Sequence, residues 1–146
     1  IDRTVAFYTA LLGREPRERR SNLVNKTLDV TADLDNVKLD VAWYNLNNLE
    51  LEVWEYLNHP VMAPTPPRPL EALGYNMIVL DVSDADLAAA RLVEAGGKLE
   101  VKAAAMDGGR TAFGRDPDGN LIGLFEVDEA SPYSAVKLGM LTHSWE

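Results

Sequence analysis

Cysteine is absent from the 146 residues, and histidine occurs only twice. No disulfide frame, thiolate nucleophile or cysteine metal site is therefore available. Basic residues are scarce too: 14 Lys and Arg stand against 23 Asp and Glu, for a net charge of −9. Holding a phosphate backbone needs basic surface that releases counterions, so the balance argues against nucleic acid as a partner. No apolar run approaches the roughly 18 residues of a membrane-spanning helix, and no signal-peptide core opens the chain. What is there is ordinary for a globular protein. Hydrophobic residues at 47% and charged residues at 25% set disorder aside. The expectation is a single cytoplasmic domain, away from membranes.

The chain starts at Ile1, inside a predicted helix. Ile1, Val5, Tyr8 and Leu12 recur at helical spacing and Gly13 supplies a stop, but no capping side chain precedes them. An Arg-rich polar connection, Arg14 to Arg20, leads to three expected strands at about 22–30, 37–46 and 49–57. The third alternates cleanly, with Leu49, Leu51 and Val53 on one face and Glu50, Glu52, Trp54 and Tyr56 on the other. Residues 58–69 then hold Pro60, Pro64, Pro66, Pro67 and Pro69, which exclude helix or central strand and predict a linker or lid.

A second cycle follows. Residues 74–82 predict a strand, and Ser83 with Asp86 three residues on predicts the N-terminus of a helix over 84–95. Gly96 and Gly97 end it, and strands are expected near 98–102, 109–115 and 121–127. Asp116-Pro117-Asp118-Gly119-Asn120 joins the last two as a tight turn. A final strand is expected at about 135–143.

The two cycles repeat. The helix at 1–13 superposes on that at 85–97 with an offset of 84, and Val136–Glu146 fits Leu73–Ser83 with an offset of 63. Together the offsets exceed the chain length of 146 by one residue. Each unit thus reads strand–helix–strand–strand–strand, with the first strand of unit one carried in the tail. Circular permutation, a tail swapped into a neighbouring chain, and segments numbered out of natural order all fit; intramolecular closure is preferred because termini of compact domains lie close together. An independent tail strand is the plainer alternative. The expected organisation is a first module of 1–57 plus the tail strand 135–146, a linker or lid at 58–72, and a second module at 73–128.

The segments VAFYTALLG, LELEVWEY and FGRDPDGNLIGLFE resemble the vicinal-oxygen-chelate superfamily of glyoxalases, extradiol dioxygenases, epimerases and bleomycin-resistance proteins. The resemblance implies an α+β fold of two βαβββ modules whose curved mixed sheets wrap a cavity. In metal-dependent members each module offers a His from its first strand and a Glu from its last. Carried over residue by residue, Glu52 holds one carboxylate position, Gly123 the other, and Met77 and Met140 the two His positions. Three of four ligands are missing, and thioethers suit hard or borderline divalent ions poorly. No metal and no cofactor is therefore expected. His143, three residues beyond Met140, turns to the opposite face, and His59 has no partner in sequence.

Strand alternation anchored on those positions places Met77, Val79 and Asp81, Met140, Thr142 and Ser144, Glu50, Glu52, Trp54 and Tyr56, and Leu121, Gly123 and Phe125 around the cavity. The mixture suits a small hydrophobic or aromatic molecule, with Gly123 opening space and the methionines adapting to the guest. Two readings stand for Glu52. It is a general acid/base whose pKa is raised by an apolar pocket and by Glu50, with Tyr56 donating to an oxyanion. Alternatively it is a relic paired to an Arg such as Arg110. The Arg14–Arg20 cluster is either a site for an anionic group or a solvated loop. Three functions follow: a metal-independent lyase- or isomerase-type enzyme; a binding protein of the bleomycin-resistance kind with Trp43, Trp54 and Tyr56 stacking on its guest; or a metal enzyme with relocated ligands. A homodimer is expected in each case.

Overall fold

The helix that opens the sequence is α1, Asp2–Leu12, in a computed structural model that describes residues 1–46, 49–61, 70–71, 73–132 and 134. It buries Val5, Phe7, Tyr8, Leu11 and Leu12, a wider face than the four-residue stripe read from sequence. Gly13 ends it at φ 65°, a left-handed conformation that glycine adopts without Cβ strain. Ile1 caps it without a side-chain bond.

A first, wholly antiparallel sheet runs β1 (Glu18–Leu23), β2 (Leu39–Asn45) and β3 (Glu50–Tyr56) in that order. The strand expected over 22–30 is corrected. Strand β1 begins earlier, inside the Arg-rich stretch, and residues Lys26–Ala32 form a helix, α2. Asn25 starts α2, its side chain accepting from the Leu28 amide, and Asp33 ends it in the left-handed region. Two local caps thus overrode the β-branched residues Thr27, Val30 and Thr31.

The second unit matches its expected order strand–helix–strand–strand–strand. Strand β4 (Met77–Asp81) leads to α3 (Ala85–Glu94), then β5 (Lys98–Met106), β6 (Gly109–Arg115) and β7 (Leu121–Val127). The mixed sheet runs β4-β7-β6-β5, with β4 parallel to β7. Asp84 caps α3 by accepting from the Leu87 amide at 2.9 Å, which shifts the cap one residue from the Ser83 expected. Neither sheet closes into a barrel, and the two are curved. The tail strand expected at 135–143 and most of the proline-rich lid lie outside the described residues. Among the described residues no helix is long and apolar enough to cross a membrane.

One core joins both units. Phe7, Tyr8, Leu11 and Leu12 of α1 meet Ala42, Tyr44, Leu51 and Val53 of the first sheet, and the same cluster continues through Ala88 and Leu92 of α3 to Ala112, Ile122 and Leu124. The internal repeat reappears as a shared contact. The Ile1 nitrogen donates to Glu55 Oε2 at 2.5 Å, and the Ala85 amide donates to Glu126 Oε2 at 3.0 Å. Each helix start is thus held by a carboxylate from the last strand of its own unit.

Tyr8 ties the core to the DPDGN turn, its hydroxyl donating to Asp116 Oδ2 at 2.9 Å. Burial, and then the Asp116 charge, push the phenol well above its usual value. A folded-state pKa above the unfolded value of about 10 gives stability present below that pH and lost as pH rises above it. In urea denaturation, the native chain should lose stability more steeply than Tyr8→Phe between about pH 9.5 and 11. Parallel pH profiles for the two proteins would refute this.

Candidate functional site

The register of the first sheet sorts its side chains. Glu18 lies opposite Trp43 and Trp43 opposite Glu52; Arg20 lies opposite Val41 and Val41 opposite Trp54; Leu39 lies opposite Tyr56. Directly opposed residues share a face, so these form one surface, while Ala42, Tyr44, Leu51 and Val53 turn to α1. Helix α2 covers one end of that surface, with Leu28 against Val37 and Leu39 beside Trp54 and Tyr56. The uncovered part is a hollow of about 580 Å³ bordered by Arg17, Arg20, Trp43, Glu52, Trp54 and Leu28.

Its charges are unevenly matched. Arg17 reaches Glu50 at 2.8 Å and Glu18 at 3.6 Å. Arg20 donates to Glu18 at 2.6 Å and lies 5.8 Å from the centre of the Trp43 ring. Glu52 is exposed and accepts from the Trp54 indole N–H at 2.7 Å, and no cation among the described residues forms an ion pair with it. A carboxylate without a cation among the described residues thus stands opposite one indole and bonded to another. The aromatic row continues along β3, with Tyr56 6.5 Å from Trp54 and His59 6.4 Å from Tyr56.

A larger cleft, about 1140 Å³, lies between β3 and the start of β4. Glu52, Trp54, Tyr56 and His59 border it on one side and Asn76, Met77 and Ile78 on the other. Ile1, Thr4 and Tyr8 of the opening helix line it as well, with Asp116, Asp118 and Asn120 of the turn.

The structure brings together only part of the set read from sequence. Glu52, Trp54, Tyr56 and Met77 share the large cleft, and Trp43, Glu52 and Trp54 the smaller hollow. Val79, Gly123 and Phe125 border neither. Met140, Thr142, Ser144 and His143 lie outside the described residues. Three expectations about side-chain surroundings are corrected. Glu50 is engaged by Arg17 and Glu52 is exposed, so the apolar enclosure invoked to raise the Glu52 pKa is not formed by these residues. Arg110 pairs with Asp86 at 2.8 Å and Glu126 at 3.6 Å instead of Glu52. Gly123 opens no space, because a Cβ there would lie 3.1 Å from Val79 and 3.3 Å from Phe113.

Arg17, Arg20 and Leu28 were missed as pocket residues. Alternation through β1 would have placed Arg20, but the strand was expected too late in the sequence. The Arg cluster is neither an anion site nor a free loop: Arg17 and Arg20 serve β1 and its neighbours, and Arg19 bonds Asp2 at 2.6 Å.

The donors at the described metal positions do not fit a divalent ion. They amount to one carboxylate, Glu52, with a thioether at Met77 and a glycine hemmed by Val79 and Phe113 at position 123.

The fold is similar to that of a glyoxalase family protein from Bacillus cereus, at TM-score 0.74 and 24% identity over 87% of this chain and 86% of that one. A glyoxalase family protein from Enterococcus faecalis superposes at TM-score 0.56, with 26% identity over 86% of this chain and 88% of the other. The trypanothione-dependent glyoxalase I of Leishmania major does so at 0.56, with 22% identity over 86% and 78%. Among curated proteins none matches the sequence. The family model for the Glyoxalase/Bleomycin resistance protein/Dioxygenase superfamily matches residues 1–124, and the chain belongs to that superfamily.

Proposed function

We propose that this chain binds a small aromatic cation on the open face of the first sheet, between Trp43 and Trp54, without the metal centre its fold accommodates elsewhere. One observation carries the reading: among the described residues Glu52 has no cationic partner, yet it sits opposite one indole and hydrogen-bonded to another. Indole faces attract cations through the ring quadrupole, and Trp is the strongest of the aromatic side chains in this respect. A net charge of −9 steers the same class of guest toward the surface. Neighbouring Arg17 and Arg20 are already neutralised by Glu18 and Glu50, so they do not favour an anion. The reading matches the sequestering, bleomycin-resistance side of the superfamily.

The test is a titration followed by tryptophan fluorescence, using a quinolinium ion and its neutral quinoline counterpart under conditions where the latter is uncharged. The cation should bind more tightly, and Glu52→Gln, which keeps the acceptor for Trp54, should weaken it about 10- to 100-fold. Equal affinity in both proteins would defeat the proposal.

Acid/base catalysis is a second reading, favoured by the way Trp54 fixes one Glu52 oxygen and leaves the other open to a proton. Under it Glu52 moves a proton in a lyase- or isomerase-type step on a hydrophobic or aromatic metabolite, with Tyr56, on the same face, donating to the developing oxyanion. Binding retained but turnover lost in Glu52→Gln would favour it.

A further inference from the structure

Strand alternation sends Arg19 to the α1 side of β1, where it bonds Asp2, and leaves Glu18 and Arg20 on the open face. On that face Glu18 of β1, Trp43 of β2 and Glu52 of β3 stand in a row across the sheet. A carboxylate thus flanks the indole on each side. The two differ in what they hold. Glu52 accepts from Trp54 and has no cation among the described residues, whereas Glu18 carries Arg20. Arg20 is diagonal to Trp43 in the register, and its guanidinium carbon lies 5.8 Å from the indole centre. That is inside the roughly 6 Å over which a ring face attracts a cation. Glu18 and Trp43 therefore already hold a planar N–H cation, supplied by the chain itself.

That cation is loosely held. The Arg20 side chain is 56% exposed, and an exposed ion pair contributes little. A free guanidinium can meet a carboxylate with two parallel N–H bonds. Arg20 starts two residues from Glu18 on the same strand and reaches its Oε1 through Nε alone, at 2.6 Å. The amino groups of Arg20 donate to nothing among the described residues. Arg17, the other cation near Glu18, lies 3.6 Å from Oε2 and only 2.8 Å from Glu50. An untethered head of the same shape can bond Glu18 better than Arg20 does.

We propose that Arg20 keeps the place of the guest's head group, and that the guest is an aromatic amidinium or guanidinium. The head replaces Arg20 against Glu18, the ring lies on Trp43 and reaches toward Trp54, and Arg20 swings to solvent. This rests on the reading that the hollow takes an aromatic cation. It adds the chemistry of the head and makes Arg20 an internal competitor. Removing Arg20 should therefore tighten binding, which the loss of a merely structural residue does not do.

The test is calorimetric titration of the native chain and Arg20→Ala with two monocations, benzamidinium and N-methylquinolinium. Only the first has N–H donors for Glu18, while the loss of the arginine charge acts on both alike. Arg20→Ala should tighten benzamidinium about tenfold, and N-methylquinolinium by less than about threefold. Adding Glu18→Gln should erase the difference between the two gains. Equal gains, no gain, or weaker benzamidinium binding would overturn the inference and leave the cation reading standing. A native chain that binds neither cation would overturn both. A second measurement needs no variant. The Arg20 Nε–H, followed by nitrogen NMR in the native chain, should exchange with water faster once benzamidinium saturates the protein. N-methylquinolinium should leave that exchange as it was. Unchanged exchange with benzamidinium would equally sink the inference.

Discussion

Asp116→Ala is expected to lower stability by roughly 3–5 kcal/mol, the sum of several buried donors losing one acceptor. Asp116 is 4% exposed. Its Oδ1 accepts from the amides of Asp118 and Asn120 at 3.0 and 2.8 Å. Its Oδ2 accepts from the Asn120 side chain and the Tyr8 hydroxyl at 2.8 and 2.9 Å. The first three bonds shape the turn between β6 and β7, and the fourth fastens that turn to α1. Alanine would strand the Tyr8 hydroxyl in a place water reaches poorly. Asparagine should cost about half as much, since its carbonyl keeps the two amides while its NH2 opposes the Asn120 NH2. Urea midpoints for the native chain and both variants give the ranking. An alanine variant within about 1 kcal/mol of the native chain would show that the turn is held by its glycine and proline alone.

The second large effect is expected at Phe7. Its ring is fully buried and meets Tyr8 edge-on, with centroids 5.0 Å apart at 83°. Phe7→Ala removes the largest apolar group of α1 from the core that joins both units, and should cost about 3–5 kcal/mol. For a domain of this size that is a fall in melting temperature of about 10 °C or more. Because Phe7 and Asp116 both touch Tyr8, the double variant should lose less than the two single losses added together. Thermal and urea unfolding of all three variants measure that shortfall; strict additivity would mean that Tyr8 does not couple them.

Much of this arrangement was legible in the sequence. Periodicity placed α1, α3 and the strands of the second unit because each buries one face, and burial is what the pattern records. The repeat at 84 residues was legible for the same reason, and the paired contacts of Glu55 and Glu126 give it a physical basis. Helix α2 was not legible, because seven residues carry too little periodicity to outweigh β-branched side chains. Its signal lay in the caps, Asn25 and Asp33, which compete at the level of single hydrogen bonds. At the site, alternation found Glu50, Glu52, Trp54 and Tyr56 on one face, and the register of β2 against β3 adds Trp43. It did not find what each touches. Which acid Arg17 neutralises, or how closely Val79 and Phe113 hem in Gly123, depends on strands far apart in sequence.

Helix α2 has a wider consequence. It belongs to the first unit only, since the second passes from α3 directly to β5. The two sheets share a repeat in their backbones, yet among the described residues only the first has a helical wall closing one end of its outer face. An internally duplicated protein invites the expectation of two equivalent binding sites. Here a seven-residue helix breaks that equivalence, so the binding proposed above is expected to saturate at one guest per chain.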